Sequence, residues 1–538
     1  MSVRPTFFGL EIAKTGLFVS QKGLDVTGHN VANADTEGYT RQRLVNTAYE
    51  PYSVPTLLRP VDQALVGGGA HVMILDQIRD QFLDRQFRTE NSTLAYWNAR
   101  SQALTYVQGL FEGAETSNLT ESINAFFAAL NVSTEDAASG AFRTTLREAA
   151  TTMVTDFNLM YERLEQQQLG LDKTVEVLTE NINDIARQIQ DLNKTIYSYE
   201  LGNQPANDLR DKRNLLVDKL SEIVDIDYGE IGPAGQAFGG KFWLTIGGEY
   251  LVNHTDVYTL KCSEKPNVVD NELMYNSSAI SVVKVPQWSD TSLNLNISDG
   301  RLLATMEMRD NMTYNSATGE KPGVPYFMEQ LSNLARAIAQ EINAVHKTGY
   351  TSENAPSGSV TGIDFFNIPS GVIADLTAGN FRLDDDILAS IYNIAASELP
   401  IVTDPTASAY NPGGDLNSTP IGTTHEGNQV NMIKMYDAIM KKDIVVNGVT
   451  IGWLAGFLDG LVVDVAATLG TSKGFESARA IQTLAVANQR ESISGVNLDE
   501  EMTNLIKYQH AYGSASRVIT AMDEALDTLI NKMGVVGR

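Results

Sequence analysis

Cysteine is nearly absent: Cys262 is the single one in 538 residues. No disulfide can form within the chain, and a thiolate metal centre lacks its ligands. Histidine is almost as scarce. The six (His29, His71, His254, His346, His425 and His510) are scattered, with no His-x-x-x-His spacing, which argues against a histidine metal site. Positive charge is short as well, with 40 basic against 66 acidic residues and a formal net charge of -26. Nucleic acid and anionic membrane are poor partners for such a chain, since both require clustered Lys and Arg. The same charge keeps monomers soluble and apart until specific contacts form. Long apolar runs are missing too. The opening residues lack the apolar core of a secretory signal, and the longest apolar run, Ile451 to Leu469, carries Asp459 and Asp464, so no membrane span is expected. The expectation is a soluble chain made without a cleaved leader, which leaves open export by a route that needs none.

What the chain does have is helical periodicity. Hydrophobic residues make up 43% of it, enough for folded domains, and its length predicts three or four of them. Leu498, Leu505, Tyr512, Ile519, Leu526 and Met533 recur every seven residues, with Tyr508, Ala515, Met522 and Leu529 three residues after four of them. This 3-4 alternation is the seam of a helix that requires a partner helix. At the other end Leu10, Leu17, Leu24 and Val31 repeat every seven residues. Small residues lie between them: Gly9, Gly16 and Gly23, with Ala13, Ser20 and Thr27. Small positions let a second helix approach closely, so the first helix (6–33) is expected to pack against the last.

Between the ends, Asn33 to Gly38 supplies turn residues. Pro51, Pro55 and Pro60 allow only extended or loop structure. A short strand is expected over Ala70 to Ile74, and a helix from near Asp76 towards Phe111. From Ala150 to Tyr199 apolar residues step by three and four, with Gln168 the single polar residue on the line. About 50 residues at ~1.5 Å each give a rod of roughly 75 Å, too long for the interior of one globular domain and therefore read as a strut or coiled-coil arm. A second amphipathic helix, Asn207 to Val224, folds back, its start placing acidic and basic residues on one turn. Gly-rich alternation over 225–298 reads as a β-rich insert. Helical order returns at Asp299 and over Tyr326 to His346. Residues 350–428 read as loops with short strands, and Asn431 to Arg490 as mostly helical. The fold class expected is α+β and multidomain: an elongated helical shaft with long coiled-coil-like helices from both chain ends, plus β-rich inserts. The domain division expected is 1–35 with 498–538 as a terminal helical pair; 36–224 with 299–349 and 429–497 as the shaft; 225–298 as a β-rich insert; and 350–428 as a loop and β insert.

Motifs that would carry chemistry fail on context. Gly235 to Lys241 matches most of a phosphate-binding loop, but Phe242 stands where Ser or Thr would hold magnesium, and a strand follows. Ser281 and Lys284 have the spacing of a Ser–Lys nucleophile pair, yet lie in strand-like alternation. Asp384, Asp385 and Asp386 lack the alternating oxygen ligands of a calcium loop and read as an acidic surface turn. No catalytic, cofactor or metal residues are assigned.

Ala32-Asn33-Ala-Asp-Thr36-Glu-Gly38-Tyr39-Thr-Arg41-Gln42 resembles the signature shared by flagellar rod, hook and hook-associated proteins. Ser494 to Glu501, followed by Leu505 to Tyr512, is similar to that family's C-terminal helix. Asn207 to Arg213, Asp299 to Asp310 and Leu334 to His346 resemble the hook–filament junction members in particular; the segments 225–298 and 350–428 add little. The resemblance implies a structural axial protein of the bacterial flagellum, extracellular, exported without a signal peptide, and using no cofactor. It implies a ring of like subunits, neighbours in hook protein and a second junction protein, and an export chaperone on the C-terminal helix. Its terminal helices would order on assembly. Asn33, Thr36, Gly38, Tyr39, Arg41 and Gln42 would link the inner helix to the shaft, with Tyr39 and Arg41 either touching neighbouring subunits or bracing the turn. Other readings are hook protein, the second junction protein, a coiled-coil adhesin or scaffold (no pairing between chain ends), and an enzyme carried on an insert.

Overall fold

The computed structural model describes residues 8–49, 67–112, 119–202, 205–232, 240–266, 268–269, 272–273, 282–312, 321–400, 427–446, 449–528 and 530. The chain opens with helix α1 (Phe8–Ala32), followed by strands β1 (Gln42–Ala48) and β2 (Ala70–Gln77), which pair antiparallel from Gln42↔Gln77 to Ala48↔Ala70. Helices α2 (Gln81–Phe111), α3 (Leu119–Ser133), α4 (Gly140–Glu200) and α5 (Asn207–Ile223) follow. Asp80 caps α2 by accepting the Phe82 amide.

α4 is the spine. Its 61 residues reach about 90 Å, and its apolar line serves two separate cores. Leu146, Met153, Phe157 and Leu164 lie in the first, with α2, α3 and helix α7 (Val324–His346). Val175, Leu178, Ile182 and Ile189 lie in the second, with α5, helix α6 (Arg301–Asp310) and the β-rich region. Between the cores α4 turns polar. Gln168 is fully buried and donates to the Arg309 carbonyl at 2.8 Å, and Asp172 pairs with the buried Arg309 guanidinium at 2.8 Å. The strut expected from length alone is thus corrected. A rod too long for one globular domain is here enclosed by two in succession, and Gln168 marks the crossing.

The β-rich region lies between α5 and α6. β3 (Asp227–Ile231), β4 (Lys241–Ile246), β5 (Glu249–Asn253) and β6 (Asp256–Val257) form an antiparallel meander in that order. β7 (Leu260–Pro266) pairs with β10 (Val282–Trp288), and β8 (Val268–Val269) with β9 (Glu272–Leu273). Leu244, Ile246 and Val252 are turned onto α4. Asn183 fixes the register there, donating to the Leu260 carbonyl and accepting its amide, both at 2.8 Å.

The chain then passes α7 and a region of turns holding the short helix α8 (Asp385–Ala389). Helix α9 (Val430–Ile439) and the hairpin β11 (Ile444–Val446) and β12 (Val449–Gly452) come next. The closing helices are α10 (Leu454–Ser494), laid along α2, and α11 (Leu498–Asp527), laid along α1. Several expectations change. Neither α3 nor β1 was anticipated. α2 begins at Gln81 and α4 at Gly140. The short strands expected over 350–428 are, among the described residues, only isolated bridges such as Phe366↔Leu383. Here backbone groups find side-chain partners instead of a ladder, as Asn343 does by accepting the Phe365 and Phe366 amides at 3.0 and 2.9 Å. The proline segment 51–60 and residues 401–426 lie outside the described residues.

His346 closes α7 onto this region. Its Nδ1 lies 2.7 Å from the Ile363 carbonyl oxygen, and its Nε2 accepts the Ala395 amide at 2.9 Å. The ring is therefore neutral, with the proton on Nδ1. Burial pushes its pKa down to about 4. Since the folded value lies below the unfolded one, the contribution is fully present above about pH 6.5 and is lost as pH falls towards 4, up to about 3 kcal/mol. Urea midpoints measured at pH 7 and pH 4.5 should drop more for the wild-type chain than for His346→Gln, which keeps a donor and an acceptor without titrating. Equal drops would remove His346 as the source.

Candidate functional site at the chain ends

α1 and α11 pack antiparallel in a strict register. The three α1 glycines each meet an α11 side chain seven residues further back: Gly9 faces Met522, Gly16 faces Ala515 and Gly23 faces Tyr508. A Cβ on Gly23 would lie 2.5 Å from the Tyr508 ring, closer than any real packing distance. Each glycine costs the isolated helix about 1 kcal/mol relative to alanine, which is offset by the close approach it permits. One further step of seven replaces packing by polar contact: Asn30 Nδ2 donates to Glu501 Oε2 at 3.2 Å.

The enclosed face of α1 is therefore Ala13, Ser20, Gly23, Val26, Thr27 and Asn30. Leu10, Leu17, Leu24 and Val31 flank it, half-buried. On α11, Leu505, Ile519, Met522 and Leu526 are half-buried, whereas Leu498 and Tyr512 are exposed. The ridge that enters the glycine notches is Tyr508–Ala515–Met522, which corrects the line through Leu498 and Tyr512. A face as narrow as three glycines receives one ridge and leaves the other outside. Leu529 and Met533 lie outside the described residues.

The turn after α1 is built from its own side chains. Asn33 Nδ2 donates to the His29 carbonyl, Thr36 Oγ1 donates to Asn33 Oδ1, and Gly38 takes φ +77 where its Cα closes on Leu215. Asn30 then serves as a template for the returning strand. Its amide donates to the Gln42 carbonyl at 2.9 Å, while Oδ1 accepts the Gln42 amide at 3.0 Å and the Tyr39 hydroxyl at 2.7 Å. Burial, with Asp208, Asp211 and Glu501 close by, pushes the Tyr39 phenol well above its ordinary range, so it remains a neutral donor. Arg41 reaches α11, Nε donating to Glu501 Oε1 at 2.8 Å and Nη1 to Glu500 Oε2 at 2.7 Å, and its backbone amide donates to the Ser494 carbonyl at 2.8 Å. Tyr39 and Arg41 are thus both engaged inside the chain.

The first turns of α5 form the socket for this turn. Asp211 accepts the Thr40 amide at 3.0 Å and its hydroxyl at 2.7 Å, Asp208 accepts from Gln42 Nε2 at 2.8 Å, and Asn207 donates to the Leu75 carbonyl at 3.1 Å. The arginines of these turns face the other way. Arg210 forms a two-pronged pair with Glu200 at the end of α4, and Arg210 and Arg213 both reach Glu230 on β3. One helical turn so joins the chain ends, the spine and the β-rich region. Asn30 and Arg79, which pairs with Asp84 and lies 3.6 Å from Asp211, were passed over in the sequence; the signal available was the place of Asn30 one heptad after Gly23.

Residues 233–239 and Ser281 lie outside the described residues; Lys284 pairs with Glu176 at 2.7 Å, and Asp384 caps α8. Among the described residues no group of three or more His, Cys, Asp or Glu could hold a metal ion, and no helix is long and apolar enough to cross a membrane.

Three family models match the chain: the flagella basal body rod protein over residues 10–40, the flagellar hook-associated protein FlgK helical domain over 104–366, and the flagellar basal body rod FlgEFG protein C-terminal over 487–532. The first and last fall on α1 and α11. Flagellar hook-associated protein 1 of Bacillus subtilis (strain 168) is 29% identical over 99% of both chains. The chain is thus similar to flagellar hook-associated protein 1 along nearly its whole length. The Escherichia coli (strain K12) member is 24% identical over 96% of this chain and 98% of its own. In fold the chain is similar to the flagellar hook junction protein FlgK from Burkholderia pseudomallei, with a TM-score of 0.54 over 76% of this chain and all of that one, at 14% identity.

Gly23→Val should force α1 off Tyr508 and lower the stability of the pair by about 1–3 kcal/mol. Hydrogen exchange would show lost protection in 8–32 and 498–527 and unchanged protection in 140–200; retained protection at the ends would refute the register. Asp211→Ala leaves the buried Thr40 amide without a partner and should cost about 1–3 kcal/mol, read as a lower urea midpoint.

Proposed function

We propose that this chain is a structural, non-catalytic component of the bacterial flagellar axis that joins hook to filament as one of a ring of like subunits. The supporting relatives are named as hook-associated proteins. The observation that carries the mechanism is the incompleteness of α11 within one chain. Glu501 is its only buried residue among those described, whereas Leu498, Met502, Ile506 and Val518 are each about half or more exposed. A helix apolar well beyond its single contact is expected to be covered in its working state. Neighbouring subunits supply that cover, and assembly orders the pair by burying what one chain leaves open.

In this reading residues 1–35 with 498–538 form the inner domain, and the rest of the chain the shaft and its inserts. Hook protein lies on one side and the second junction protein on the other. Before assembly an export chaperone covers the C-terminal helix. The chain leaves the cell through the flagellar export route without a cleaved signal and works outside it.

Ile519, half-buried on α11, gives the test. Ile519→Asp should leave helices α4 and α7 folded by circular dichroism and hydrogen exchange, yet reduce joining to isolated hook ends at least tenfold. In the wild-type chain, exchange at 8–32 and 498–527 should slow on addition of hooks. A variant that joins hooks normally, or ends whose exchange hooks do not alter, would sink the mechanism.

A further inference from the structure

An open cup lies beside the spine, between α4 and the turns that follow α7. None of its residues belongs to α1, α11 or the socket that joins them. It encloses about 640 Å³, within the roughly 300–1,000 Å³ usual for ligand pockets. Asn158 of α4 forms one wall, and the segments 367–370 and 379–382 form the others. These walls are tied together within the chain. The Asn367 backbone amide donates to the Arg382 carbonyl at 3.0 Å, and Phe366 and Leu383 form a bridge next to it. Asn158 Nδ2 donates to the Ala378 and Phe381 carbonyls at 2.8 and 3.0 Å. The Phe381 ring is fully buried and meets Phe157 edge-on, with centroids 5.4 Å apart. Ser370 holds φ +57, a left-handed conformation uncommon for a residue with a side chain.

The polar groups of the cup are of two kinds. Asn158 has both amide hydrogens engaged, so its Oδ1 offers an acceptor alone. The Asn367 side-chain amide, the Ser370 hydroxyl and the Arg382 guanidinium have no partner among the described residues. Asn380, by contrast, is closed on itself, accepting the Thr377 amide and donating to the Asp375 carbonyl. No carboxylate lines the cup. Asp384, the acid nearest to Arg382 along the chain, accepts the Asp386 amide as the cap of α8. Ile368 and Pro369 add half-buried apolar surface. Asn158 Oδ1 requires a donor, which a hydroxyl supplies and a carboxylate does not. Arg382 requires an acceptor, and a carboxylate matches its fork. Hydroxyls, a carboxylate and an aliphatic ring face occur together in an acidic sugar.

We propose that the cup between α4 and residues 367–382 binds a uronic-acid saccharide. Its carboxylate pairs with Arg382, and its hydroxyls meet Asn158, Asn367 and Ser370. An acidic peptide fits less well. No strand lines the cup among the described residues, so an extended peptide has no edge to pair with, and acidic side chains bring no hydroxyl to Asn158.

The test uses the full-length chain and three probes: digalacturonate, its dimethyl ester, which keeps the hydroxyls and loses the charge, and diglutamate. Each is titrated at pH 7 by saturation-transfer NMR against the wild-type chain and Arg382→Gln. Arg382 is exposed, and the variant is checked for an unchanged melting temperature. Digalacturonate is expected to bind the wild-type chain. The ester, and digalacturonate with the variant, should each bind about tenfold or more weakly, the loss of one charged hydrogen bond. No transfer to digalacturonate, an ester that binds equally, or a variant that binds equally would overturn the inference. Diglutamate bound as tightly as digalacturonate would also overturn it, by making the cup a site for an acidic peptide.

Discussion

Asp211 accepts the amide and hydroxyl of Thr40 and sits beside the Arg79 guanidinium. With these contacts it ties the turn after α1, the start of α2 and the first turns of α5 to one point. Burial raises its carboxyl above the ordinary carboxylate range, and the hydrogen bonds from Thr40 oppose that rise. The neighbouring pairs extend the anchorage: Arg79 to Asp84, Arg88 to Asp218, and Arg490 on α10 to Asp218. Buried ion pairs of this kind contribute little net stability compared with apolar packing. Removing one partner is costly, because the other is then left charged and dry. Such a network favours one arrangement of the chain ends over its alternatives.

The helices were legible in the sequence wherever one apolar line met one surface. Val154 to Ile196 announced α4, and the small residues of α1 announced a closely approaching partner at the other end of the chain. What stayed hidden follows from context. That α4 passes through two cores was not legible, because an apolar line does not say how many surfaces it serves; only the buried polar pair of Gln168 and Asp172 carries that information. The choice between the two ridges of α11 depended on the width of the glycine face on α1, a property of the partner helix. The role of Asn207 to Arg213 was hidden because helical alternation sends Asn207, Asp208 and Asp211 one way and Arg210 and Arg213 the other, towards segments remote in sequence.

The polar crossing on α4 also separates the two halves of the shaft energetically. Apolar contacts do not run continuously from the first core to the second, since the Asp172–Arg309–Asp310 cluster lies between them. Each core can therefore tolerate substitutions on its own account, while the helix that both share keeps their relative placement fixed. The β-rich region hangs on the second core through Asn183 and the Arg210 and Arg213 pairs with Glu230.

The contact between Asn30 and Glu501 joins residues 471 positions apart. Closing such a loop in a fully unfolded chain would cost about 3 kcal/mol more than closing one of about 20 residues, and the shallow seam between α1 and α11 is ill suited to bear it. The shaft removes the difficulty. Once α2, α5 and α10 have come together, the Arg41 amide and the Ser494 carbonyl are neighbours, and the two ends become the arms of a short hairpin. The pairing of the ends is therefore least costly with everything between them in place, so that a closed pair reports a complete shaft.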